Sequence, residues 1–116
     1  MTVLPSPCWP AVIRLAGSDE LVFVRDRTVW AADPDLSRHP YHSDDTLIDS
    51  RGRCFALHYD SATRAVGLDD TGIVLSLEAF SALIQRHVFA HAQTCVAKVA
   101  LTSYREGMRV VEHLGD

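Results

Sequence analysis

The order of apolar and polar positions divides the chain into a first part with the period of strands and a last part with the period of helices. Apolar runs at residues 12–16 and 21–25 flank residues 17–20, Gly-Ser-Asp-Glu, which are typical of a turn. From residue 77 onward, apolar residues recur every three or four positions, the spacing of one helix face. The pattern therefore predicts a sheet first and helices after it.

The same four-residue pattern, Asp-x-x-Gly, occurs twice between apolar segments, at residues 49–52 and 69–72. Asp at the first position and Gly at the fourth suit a type I turn that ends on a residue in the left-handed region. We therefore predict two hairpins with the same turn. A third short apolar run at residues 28–32 is predicted to extend the second strand or to form another.

Two helices are predicted from their first residues. Ser76 is a good N-cap for a helix from residue 77 to about 92, and Ser103 with Glu106 forms a capping box for a last helix that begins at Tyr104. Residues 94–101 fit either a buried strand or more helix. Residues 33–45 are polar and contain two prolines, which predicts a loop with one helical turn at residues 34–37.

These elements predict an α+β fold, an antiparallel β-meander of about five or six strands covered on one face by two C-terminal helices. The 116 residues are 47% hydrophobic and fit a single domain. Within it, we expect residues 1–10 to form an extended arm anchored by Trp9, residues 11–76 to be mainly β, and residues 77–116 mainly α.

Charge and cysteine content exclude several classes of protein. A formal net charge of −4 argues against a nucleic-acid partner. No apolar run is long enough to span a membrane, and the first ten residues do not resemble a signal peptide. Cys8, Cys54 and Cys95 are odd in number and widely spaced, which is not a disulfide framework. We expect a cytoplasmic protein with free thiols.

One loop gathers side chains that suit a divalent metal ion such as zinc, or acid–base chemistry. These candidate ligands are His39, His42, Asp44 and Asp45. Loops also collect such residues because they are solvated and form turns. His87 and His91 lie one helical turn apart and could contribute a further ligand, although a half-buried position between helix and sheet is the simpler interpretation.

A second apolar face is predicted on the first long helix. Phe89 and Val96 would lie opposite the face that packs on the sheet if that helix continued past residue 92. Such a face needs a cover, which would be the last helix or another protomer.

Trp9-Pro10, the first hairpin through Phe23, and residues 45–52, Asp-Thr-Leu-Ile-Asp-Ser-Arg-Gly, resemble a small bacterial family of uncharacterised domains. The resemblance covers about the first half of the chain. It implies a bacterial, cytoplasmic protein of unknown function and carries no catalytic residues over to this chain.

The sequence thus favours a non-enzymatic protein-interaction or regulatory module, with a homodimer as one form and no cofactor. The alternative is a metal-binding domain or metal-dependent hydrolase that uses His39, His42, Asp44 and Asp45, with zinc or another divalent metal. A small-molecule sensor with a pocket between sheet and helices is a third hypothesis, which no individual residue supports at this stage.

Overall fold

The computed structural model describes residues 6–92 and 101–114. Its strands are β1 Ala11–Arg14, β2 Leu21–Val24, β3 Thr46–Ile48, β4 Arg53–Asp60 and β5 Ala65–Val74. Its helices are α1 Arg27–Ala32, α2 Pro34–Ser37, α3 Leu77–Ala92 and α4 Tyr104–Leu114. The predicted α+β class is confirmed: a five-stranded antiparallel sheet carries the two C-terminal helices on one face.

The strands follow the order β2-β1-β3-β4-β5, and every neighbouring pair is antiparallel. β3 pairs with β1 and not with β2, so the connection that contains α1 and α2 crosses one strand. The sheet is therefore a meander with one crossover. β2 and β5 are its two edge strands.

The prediction of a strand at residues 28–32 is wrong, because this segment is helix α1. The side chain of Asp26 accepts a hydrogen bond from the Val29 backbone amide at 2.8 Å and caps the helix. The helix buries Trp30 against the sheet face opposite α3 and α4. The predicted helical turn at Pro34–Ser37 is confirmed as α2, with Asp33 as its N-cap.

Of the two predicted hairpin turns, only the first is confirmed. Residues 49–52 connect β3 to β4, and Gly52 has φ +79°. Residues 69–72 lie inside β5, where a bulge shifts the register against β4. The chain reverses earlier, at residues 60–65, where the Arg64 amide donates to the Asp60 carbonyl at 2.7 Å. The earlier reversal places the second Asp-x-x-Gly within a strand that is already paired.

Each sheet face has its own apolar core, as the alternation along the strands requires. The core under α3 and α4 consists of Val12, Leu21, Ile48, Cys54, Phe80, Leu83, Ile84, Met108 and Val111. The core under Trp30 consists of Ala11, Ile13, Val24, Trp30, Leu47, Phe55, Leu57 and Val66. In β4, Cys54 and Phe55 point to opposite faces, as predicted.

The N-terminal arm is tied to the first turn by a network around one carboxylate. Asp49 is fully buried and accepts hydrogen bonds from the backbone amides of Cys8, Arg51 and Arg53 and from the Arg51 guanidinium. Ser50 Oγ donates to the Pro10 carbonyl at 2.6 Å. The Trp-Pro and Ile-Asp-Ser-x-Gly motifs therefore contact each other and attach the N-terminal arm to the first hairpin turn.

Helices α3 and α4 begin as their caps predict and pack closely together. Ser76 Oγ accepts from the Ala79 amide, and Ser103 Oγ accepts from the Glu106 amide. A Cβ on Gly107 would lie 2.5 Å from the Phe80 ring, so only glycine fits at this crossing.

Candidate functional site

The four loop residues predicted as metal ligands are used in different ways. Asp45 is buried, and its two carboxylate oxygens accept from the backbone amides of Ala16 and His42. His42 Nδ1 accepts from the Asp44 amide at 3.1 Å and lies 3.7 Å from the Asp44 carboxylate. His39 packs edge-on against the Tyr41 ring. These contacts hold the loop in shape.

Residues 6–92 and 101–114 contain no group of three or more His, Cys, Asp or Glu side chains that could hold a metal ion. Asp45 faces backbone amides, which compete with a metal for both of its oxygens. The metal site at His39, His42, Asp44 and Asp45 stays a prediction without geometric support in this part of the chain.

His87 and His91 stack with their ring centroids 5.8 Å apart. His87 is buried between α3 and the sheet, and its Nδ1 accepts from the Leu21 amide at 2.8 Å. His91 is exposed, so the half-buried position predicted for both histidines is wrong for His91. Burial lowers the pKa of His87, and the neighbouring His91 adds to this, whereas Glu20 acts in the opposite direction. At neutral pH His87 is therefore uncharged, and its Nδ1 serves as a hydrogen-bond acceptor for the edge strand β2.

Phe89 and Val96 are the residues predicted to form an interaction surface, and the structure describes the first of them. Phe89 lies on α3 with 54% of its surface exposed. Val96 lies outside the described residues. Of the two residues predicted to form the second apolar face, the structure therefore describes Phe89 alone. Single exposed apolar side chains are common on protein surfaces. The interaction role of Phe89 stays a prediction.

The edge strand β5 is a feature that sequence reasoning did not identify as a site. It has ten residues, and among residues 6–92 and 101–114 its strand neighbour is β4 alone, so within this part of the chain its other side is an open edge. Long open edges are templates for pairing with another strand. The sequence pattern does not reveal β5 as one long strand, because Asp-x-x-Gly at residues 69–72 predicts a turn that would divide it into two shorter strands.

The two halves of β5 differ in regularity. Ala65 to Asp70 pair with β4 without interruption, whereas the bulge lies between Asp70 and Val74. Gly72 within the bulge has φ +76°, and Thr71 Oγ1 donates to the Cys54 carbonyl at 2.8 Å. A bulge at a sheet edge interferes with further pairing. The segment that can accept a new strand is therefore residues 65–70.

Charges of opposite sign stand at the two ends of this regular segment. Asp69 and Asp70 end it, and Arg64 immediately precedes it. On the face of Val66 and Leu68, a groove of about 740 Å³ contains Trp9 and Trp30. Two further positive side chains, Arg27 and Arg38, line the same groove. The segment is thus preceded by a positive side chain and ends on two carboxylates, of which Asp70 is paired with Arg53 at 3.3 Å.

No helix within the described residues is long and apolar enough to cross a membrane.

Comparison with known proteins gives a family and a fold relative. The model of a family described as a protein structure with unknown function matches residues 9–111. An NMR structure of a protein from Shewanella amazonensis has 26% sequence identity to this chain and a TM-score of 0.68. The similarity covers 97% of this chain and 94% of that chain. No curated protein matches.

Proposed function

The chain belongs to the DUF4144 family, whose function is unknown, and we propose that it is a non-enzymatic protein-interaction module whose binding element is the edge of β5. The occupant we infer is a second copy of the same chain. The two β5 strands would pair antiparallel about a two-fold axis and join the two five-stranded sheets into one. The observation that carries the proposal is the regular segment of residues 65–70, which pairs with β4 on one side and has no strand on the other side within the described part of the chain.

The centre of this pairing follows from the symmetry and from the bulge. A two-fold axis perpendicular to the sheet places one residue opposite itself, and the bulge limits pairing to the first half of β5. Gly67 is central between Arg64 and Asp70, so the register we infer places Gly67 opposite Gly67. Glycine in a strand is typical of a site where another backbone approaches closely.

Charge complementarity favours a second copy in this register. With Gly67 at the axis, Asp70 of one copy lies next to the turn residue Arg64 of the other, just before that copy's β5 begins, and symmetry repeats the pair. Opposite charges across neighbouring strands contribute roughly 0.2–1 kcal/mol each. A register centred on Asp69 would instead place the two Asp69 carboxylates opposite each other. The sequence of β5 thus favours the register centred on Gly67 over the one centred on Asp69.

The groove beside β5 adds to this complementarity. Asp70 shares its sheet face with Val66 and Leu68, because the partners of these three in β4 are two residues apart. Asp70 of a second copy would therefore enter on the face where Arg27 and Arg38 line the groove. The positive groove and the incoming carboxylate match in sign.

The experiment is to measure mass by sedimentation equilibrium over a range of protein concentrations, for the natural chain and for the Gly67→Asp variant. We expect a concentration-dependent dimer for the natural chain. The variant would remain a monomer because like charges would face each other at the axis. A Cβ on Gly67 meets no atom closer than the His58 carbonyl oxygen at 3.8 Å, so the fold accommodates the change.

The matched control places the same charge away from β5. Ser18→Asp lies in the exposed turn between β1 and β2, and we expect this variant to dimerise like the natural chain. The Phe89→Asp variant tests the helical face. If Phe89→Asp abolishes the dimer and Gly67→Asp does not, the interface lies on α3 and the β5 proposal is overturned. A monomer at every concentration of the natural chain overturns it as well.

A further inference from the structure

A second cavity lies on the other face of the sheet, away from the groove beside β5. It has a volume of about 370 Å³ and lies between α3 and strands β1, β3, β4 and β5. Small-molecule sites usually have volumes of roughly 300–1,000 Å³. We call this cavity the sheet–helix cleft. Its lining includes Arg14, Ile48, Cys54, Ile73, Leu83 and Arg86.

The base of the cleft is apolar. Ile48, Cys54 and Leu83 belong to the buried core under α3 and α4, and Leu75 packs against that core. Ile73 extends this apolar surface outward and has 58% of its own surface exposed. An exposed isoleucine at the side of a cavity leaves apolar area that a ligand could cover.

Cys54 contributes to this base as an uncharged group. Burial raises the pKa of its thiol, and the carboxylate of Asp49 raises it further. The positive charge of Arg14 acts in the opposite direction and is the weaker influence. A thiol in this state is a poor nucleophile, so the cleft is suited to binding and not to covalent chemistry.

Arg14 brings positive charge to the cleft. It lies two residues after Val12 on β1, so its side chain leaves the sheet on the α3 side. Its guanidinium makes no hydrogen bond or ion pair with the described residues. The five donors of its guanidinium are therefore available to an incoming acceptor.

A second guanidinium comes from the helix. Arg86 on α3 lines the same cleft, and its Nε lies 3.9 Å from the carboxylate of Asp19. Both side chains of this pair are more than half exposed, so the attraction between them is weak. Arg86 therefore keeps donors that can face the cleft together with Arg14.

From this arrangement we propose that the sheet–helix cleft binds a small amphiphilic carboxylate, with its alkyl or aryl body against Ile73, Leu75 and the edge of Leu83 and its head group on Arg14 and Arg86. Planar guanidinium groups match carboxylates through paired hydrogen bonds. The apolar base favours a body that water excludes. The inference is independent of β5 pairing, because the groups that carry it lie away from residues 64–70.

The test is a titration of isotope-labelled protein with octanoate, followed by methyl and arginine side-chain NMR signals. We expect saturable shifts that cluster at Ile48, Ile73, Leu75 and Leu83. Octanol lacks the charge and acetate lacks the apolar body, so each should bind at least about tenfold more weakly than octanoate.

Three variants assign the binding to the cleft. Arg14→Gln removes the guanidinium from an exposed position and should weaken octanoate binding about tenfold. Ala79→Phe fills the cleft from an exposed helix position and should abolish the clustered shifts. Arg109→Gln removes the same charge from α4, outside the cleft, and should leave affinity unchanged.

Several results would overturn the proposal. These are octanoate shifts that do not saturate, shifts that cluster outside the cleft, equal binding of octanol, or an Arg14→Gln affinity equal to that of the natural chain. The oligomeric state of each variant, measured in parallel, separates this inference from β5 pairing. A dimer that fails to bind octanoate contradicts the cleft alone, and a monomer that binds octanoate contradicts the pairing alone.

Discussion

Residues 49–52 and 69–72 share the pattern Asp-x-x-Gly and a glycine in the left-handed region, yet one forms a hairpin turn and the other a bulge in an edge strand. The first is buried at the meeting point of the N-terminal arm, the sheet and α4. The second lies at an exposed edge. The pattern fixes a local backbone shape, and the surrounding contacts decide what that shape is used for.

The two aspartates show the difference most clearly. Asp49 is fully buried and holds three backbone amides and the Arg51 guanidinium. Asp70 accepts from the Gly72 amide at 2.9 Å and from Arg53 Nε at 3.3 Å, near the surface. The first carboxylate joins parts of the chain that are distant in sequence, and the second shapes one edge.

The largest expected effect comes from removing each carboxylate in turn. We expect Asp49→Ala to lower the free energy of unfolding by about 4 kcal/mol, since several buried amides lose their acceptor. Asp70→Ala should cost about 1 kcal/mol, because water can replace its contacts. Urea unfolding at one dilute protein concentration measures both. Equal losses would show that burial does not distinguish the two segments.

The two glycines give the next largest difference. A Cβ on Gly52 would lie 2.6 Å from the Tyr104 ring and 2.7 Å from the Leu75 carbonyl oxygen, whereas a Cβ on Gly72 meets nothing within 4 Å. Gly52→Ala should therefore cost about 3 kcal/mol, from backbone strain together with crowding. Gly72→Ala should cost about 1 kcal/mol from strain alone.

Thermal and urea unfolding of both glycine variants provide the check, with Gly17→Ala as a control that carries backbone strain at φ +79° and has nothing within 4 Å of its added Cβ. A cost for Gly72→Ala as large as that for Gly52→Ala would contradict the assignment of the bulge to an open edge.

The change of stability with pH is expected to be smaller than the effects of the aspartate and glycine variants. It arises from His87, which lies outside both Asp-x-x-Gly segments. The pKa of His87 lies below its ordinary value of 6.5, so the unfolded chain binds more protons than the folded one at mildly acidic pH. Stability is therefore complete above about pH 6.5 and falls as the pH drops through the lowered pKa. Protonation of Nδ1 also removes the acceptor for the Leu21 amide.

Urea unfolding between neutral and mildly acidic pH measures this slope. The His87→Asn variant, whose amide oxygen can still accept from Leu21, should flatten it. Asp70→Ala and Gly72→Ala should keep it. A slope that persists in His87→Asn would assign the titration to another group.

Elements with local signals could be predicted closely from the sequence. Helix α3 begins after Ser76 and α4 begins after Ser103, because the cap and the first turn are neighbours in the chain. Alternation in β4 also assigns Cys54 and Phe55 to opposite faces. The strand predicted at residues 28–32 failed because Asp26 caps a helix there, a local signal that the apolar run concealed.

Features that depend on distant contacts could not be predicted. The pairing of β3 with β1 follows from the whole sheet, and the pairing of Ala65 with Asp60 makes residues 69–72 part of a strand. The cleft brings Arg14 and Arg86 together from positions 72 residues apart (86 − 14). The composition of the loop at His39 and His42 predicts a metal site. Composition does not reveal that the carboxylate of Asp45 accepts hydrogen bonds from backbone amides.

The most direct test of the proposed β5 pairing is to mix two variants that each fail to dimerise. Gly67→Asp and Gly67→Lys both place like charges at the inferred two-fold axis, and each alone should be monomeric. Mixed in equal amounts, they should form a one-to-one heterodimer in sedimentation equilibrium, since opposite charges then face each other. If the mixture stays monomeric while the natural chain dimerises, Gly67 is not at the axis and the proposed pairing is wrong.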